Sequence, residues 1–174
     1  MDTIAEQLAG MSLVVKARRL GLQCPDDLRR LAVERGCNYY SVEPGPKPVG
    51  EVSLTNAELA VALLSPKLPF EPWNIRIGAA IMSAPDVQAD ELVRLARAEK
   101  CESMVRYIAE CGKRYEPDNE SWDRLLSLLA DVQVNPDGLP HPTRFIAMTG
   151  FIRGKTGLWT QWIRPGHSPI IQHK

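Results

Sequence analysis

No stretch of this 174-residue chain approaches the roughly 20 consecutive apolar residues that a bilayer-spanning helix needs. Met1-Asp2-Thr3 lacks the basic start of a secretory signal, and the apolar run from Met11 to Val15 stops at Lys16. The four cysteines, Cys24, Cys37, Cys101 and Cys111, stand at no zinc-binding or redox spacing. With no export signal, free thiols in a reducing cytoplasm are expected. Histidine is scarce: His141, His167 and His173 lie among prolines or near the last residue, and none is four residues from another ligand. There is no GxSxG, no HExxH and no EF-hand loop. These absences remove the motif-bearing enzyme classes, and neither a metal nor a cofactor is expected.

Acidic residues are missing altogether beyond Asp137. The segment 138–174 carries Arg144, Arg153, Lys155, Arg164 and Lys174 and is +5, while residues 1–137 hold all 21 acidic residues and are −5. Such asymmetry suits a polyanion-docking tail, or a tail that packs on its own acidic body. The apolar fraction of 44% is enough for a core, and the length fits one domain with an appendage.

The positive signals are helical. Thr3-Ile4-Ala5-Glu6 fits a capping box, and Leu8, Met11, Val15 and Leu20 form an apolar stripe that ends at Gly21. Pro25 opens a second helix, with Asp26 and Asp27 favourable in its first turn; Leu28, Leu31 and Ala32 are its inner face and Gly36 its stop. Residues 1–36 therefore read as a helical hairpin. Ala17 and Gly21 have the turn spacing of a DNA-binding helix-turn-helix, among Arg18, Arg19, Arg29, Arg30 and Arg35. Yet apolar positions of that motif's second helix fall on Asp27 and Arg30, which argues against it. Residues 37–53 form a connector, with three prolines and two glycines between Pro44 and Gly50; Tyr39 and Tyr40 suit anchors for a long loop.

Residues 54–130 predict an array of five helices. Thr55-Asn56-Ala57-Glu58 is a second capping box, followed by Leu59, Ala60, Leu63 and Leu64. Pro72 opens a segment that is apolar nearly all round, from Trp73 to Met82, and is expected to be the most buried helix. Leu92, Leu95 and Ala96 face inward on the next. Met104, Ile108, Cys111 and Tyr115 recur at helical period between Glu102 and Tyr115. Asp118 or Asn119 caps the last helix, whose stripe is Trp122, Leu125, Leu126 and Leu129. The fold class expected is mainly α, an irregular multi-helix bundle or short solenoid-like array of about seven helices without a clean repeat, with a C-terminal β-hairpin.

In the last part, 131–174, a loop with an Asp137-Gly138 turn precedes two aromatic, β-branched runs, Arg144–Ile152 and Leu158–Ile163. They read as a hairpin around Arg153–Gly157; a helix over Thr143–Ile152 is the competing reading. Gly154-Lys155-Thr156 lacks the earlier glycine and the following helix of a phosphate-binding loop. Cys101 and Cys111, ten apart, fall on different faces of one helix and do not form a pair site. Glu99, Glu102, Arg106, Tyr107 and Glu110 could converge as a polar cluster, or form i,i+4 ion pairs such as Glu102–Arg106 and Arg106–Glu110. No catalytic residue is nominated.

Two functions fit these patterns. The first is a cytoplasmic protein–protein interaction or adaptor module without catalysis, whose helical array presents a face to a partner. The second is nucleic-acid binding by Arg144, Arg153, Lys155, Trp159 and Arg164, where cations alternate with aromatic rings that could stack on bases. An enzyme without familiar motifs is a third class. No membrane partner is expected.

Overall fold

A computed structural model describes residues 11–37, 52–69, 71–82 and 84–134, together with the backbone of 152–154 and 157–159. The protein is mainly helical. Among the described residues there are seven helices: α1 (Leu13–Arg19), α2 (Pro25–Glu34), α3 (Asn56–Leu64), α4 (Pro72–Met82), α5 (Ala89–Glu99), α6 (Glu102–Tyr115) and α7 (Glu120–Leu128). A short antiparallel pair follows, β1 (Ile152–Gly154) and β2 (Gly157–Trp159).

The helix starts follow local chemistry. Thr55 Oγ1 accepts from the Glu58 backbone N–H at 3.1 Å while Glu58 accepts from the Thr55 N–H at 3.0 Å, a reciprocal capping box. Asn119 Oδ1 accepts from the Ser121 N–H and so caps α7. Pro25 sits in the first turn of α2, and Gly36 follows that helix at φ +114°, a left-handed conformation that glycine adopts without strain.

Cys24 is the N-cap of α2, and its box is closed by Asp27. Burial works to raise the Asp27 pKa, but N–H donation from Cys24 and Gln23, the Cys24 thiol and the Arg30 guanidinium outweigh it, and the carboxyl titrates below 3.8. A depressed folded-state pKa stabilises the fold above the unfolded value and loses that contribution as pH falls below it. Asp27→Asn is therefore expected to cost about 1 kcal/mol near pH 7, a difference that shrinks below pH 3.8. Paired thermal melts of the two proteins across this range test it; a gap independent of pH would sink the assignment.

The core runs through α3. This helix touches α1, α2, α4 and α5, and Ala57 and every residue from Leu59 to Leu64 are buried. The expectation for Pro72–Met82 holds along most of its length: Asn74, Ile75 and every residue from Ile77 to Met82 are buried, while Trp73 is 49% exposed. Apolar composition marks both helices as interior; which one takes the centre depends on how many neighbours the chain path brings to it. The N-terminal stripe needs correction. α1 starts at Leu13 and buries Leu13, Val14 and Ala17, leaving Val15 38% exposed. The Thr3 capping box and Leu8 lie outside the described residues.

The remaining inner faces follow the periodicity: Leu28, Leu31 and Ala32 on α2, Leu92, Leu95 and Ala96 on α5, Ile108 and Cys111 on α6, and Trp122, Leu125 and Leu129 at α7 are buried, while Met104 and Leu126 are half-buried against the core and the Tyr115 side chain lies outside the described residues. Of the runs Arg144–Ile152 and Leu158–Ile163, only Ile152, Leu158 and Trp159 are among the described residues, and all three are on the paired strands. Gly154 pairs with Gly157, so Arg153 and Gly154, read as connector, belong to the ladder. Residues 155–156 between them lie outside the described residues.

Candidate interaction surface

The polar residues grouped on the helix junction do not converge. Arg106 donates to the carbonyls of Leu129 (2.9 Å), Ala130 (3.1 Å) and Val132, and pairs with Glu110 at 3.0 Å. Its guanidinium closes the carbonyl end of α7, where a cation opposes the negative pole of the helix dipole. The expected Glu102–Arg106 pair is not formed, because Arg106 is spent there. Tyr107 is buried and hydrogen-bonded to Cys111. Glu99 leaves the group entirely and serves the far end of the array.

Glu99 is the last residue of α5 and only 5% exposed. Its Oε1 accepts from the Leu13 backbone N–H at 2.6 Å; its Oε2 accepts from Ser12 Oγ at 3.2 Å and Ser65 Oγ at 3.3 Å, with Lys67 Nζ at 3.7 Å. A carboxylate at the end of its own helix opposes the dipole, but here it lies at the positive start of α1. Three segments, the start of α1, the end of α3 and the end of α5, thus meet on one side chain. No local pattern announces this, since the partners are 32 to 87 residues apart in sequence.

Buried thiols offer no nucleophile. Burial pushes the Cys37 and Cys101 thiols up to about 12 and Cys111 to about 11, so all three stay protonated at neutral pH. All four cysteines are free. Among the described residues no group of three or more His, Cys, Asp or Glu side chains is placed to hold a metal ion. No helix there is long and apolar enough to cross a membrane.

Of the residues nominated for nucleic acid, Arg144, Lys155 and Arg164 lie outside the described residues. Arg153 and Trp159 lie on the paired strands, on adjacent rungs: Arg153 opposite Leu158 and Trp159 opposite Ile152. The arginines of the N-terminal hairpin are largely committed within the fold. Arg29 pairs with Asp26 and Glu71, Arg30 with Asp27 at 2.7 Å, and Arg35 donates to the Val52 and Leu54 carbonyls and to Asn56. Only Arg18 and Arg19 project freely exposed surface.

The surface feature that composition did not announce is on α4. Trp73 and Val15 are the large apolar side chains left exposed among the described residues. The Arg76 guanidinium lies 4.6 Å from the centroid of the Trp73 ring, one turn along the same helix. Between them in sequence, Asn74 is 2% exposed, and neither its amide nitrogen nor its oxygen has a hydrogen-bond partner among the described residues. Such an unmet amide costs about 1–3 kcal/mol, so its retention calls for a reason. The Trp-x-x-Arg spacing was visible in the sequence; that it faces outward was not.

No protein family, no curated protein and no solved structure matches this chain.

Proposed function

We propose that the protein is a helical adaptor that binds another protein through the α4 surface around Trp73 and Arg76, without catalysis. The carrying observation is an exposed tryptophan with an arginine stacked on it, on a helix whose other half is core. Tryptophan and arginine are the side chains most enriched among residues that dominate binding energy, because each combines large contact area with a polar group. Nucleic-acid binding by the basic C-terminal segment is the competing proposal.

The test uses the full chain and a Trp73→Ser/Arg76→Glu variant. In-cell crosslinking from this surface is expected to recover a discrete protein partner. Purified, that partner should bind the native protein through moderate salt and the variant at least about 30-fold more weakly, at unchanged melting temperature. Single- and double-stranded oligonucleotides are titrated in parallel. Micromolar oligonucleotide binding that falls steeply with salt, with no change in the α4 variant, would replace this reading with the nucleic-acid one.

A further inference from the structure

No further inference is drawn: the strongest candidate, the half-buried apolar edge of Met104, Val132 and Val134 beside the start of α6, carries nothing, because nothing in the structure shows what covers it.

Discussion

A Gly112→Ala protein is expected to be less stable by about 2–3 kcal/mol, against the roughly 1 kcal/mol gain that helix propensity alone assigns to this change. Gly112 lies within α6, where alanine normally stabilises. Here a Cβ would stand 2.5 Å from Cε2 of Trp122, 2.7 Å from Cδ2 and 2.8 Å from Cζ2. The indole cannot step aside. It is fully buried, and its Nε1–H donates to Glu116 Oε2 at 2.9 Å. The ring lies directly on the α6 backbone, and α7 is docked through it. Calorimetry should show the melting temperature falling by about 5–10 °C. A melting temperature equal to or above the native value would mean that α7 shifts freely on α6. A Gly112→Ala/Trp122→Phe double variant, with a smaller ring, should be more stable than the sum of the two single losses, because the clash is shared between them.

Glu99→Ala is the second large effect. It leaves the Leu13 N–H, the Ser12 and Ser65 hydroxyls and Lys67 without their common acceptor. Removing one side of a buried charge site costs about 3–5 kcal/mol, and Lys67, which is half exposed, softens this by turning to water. A loss of about 2–3 kcal/mol in the docking of α1 is expected, seen as roughly 30- to 150-fold faster hydrogen exchange at residues 16–20, while α6 and α7 keep their protection. Glu99→Gln, which retains one acceptor for the Leu13 N–H, should lose less. Equal acceleration over the whole molecule would show that Glu99 supports the core rather than α1.

Charge is unevenly distributed over the helices. Residues 84–134 carry eleven acidic and seven basic side chains, and residues 11–37 carry six basic and three acidic. The N-terminal hairpin and the last helices therefore have opposite sign.

Much of the fold was written in short-range chemistry. Thr55-Asn56-Ala57-Glu58, Pro25, Gly36 and Asn119 set helix ends through backbone hydrogen bonds and φ preferences that reach no further than four residues. Inner faces on α2, α5, α6 and α7 follow from a 3.6-residue period, because burial repeats once per turn. The errors lie where that period is uninformative. α1 is short and mostly apolar, so Val15 and Val14 compete for the inner face and only contact with α3 decides. α3 and α4 are both apolar nearly all round, so the sequence alone determined that they are interior helices, not which one is surrounded. The exposure of Trp73, the closing of α7 by Arg106 and the convergence of Ser12, Leu13, Ser65 and Lys67 on Glu99 were decided by tertiary structure. Those contacts join residues 23 to 87 positions apart or depend on which helix face the packing leaves open. Local patterns carry no information on either, because a hydrogen bond between distant segments leaves no period in the chain.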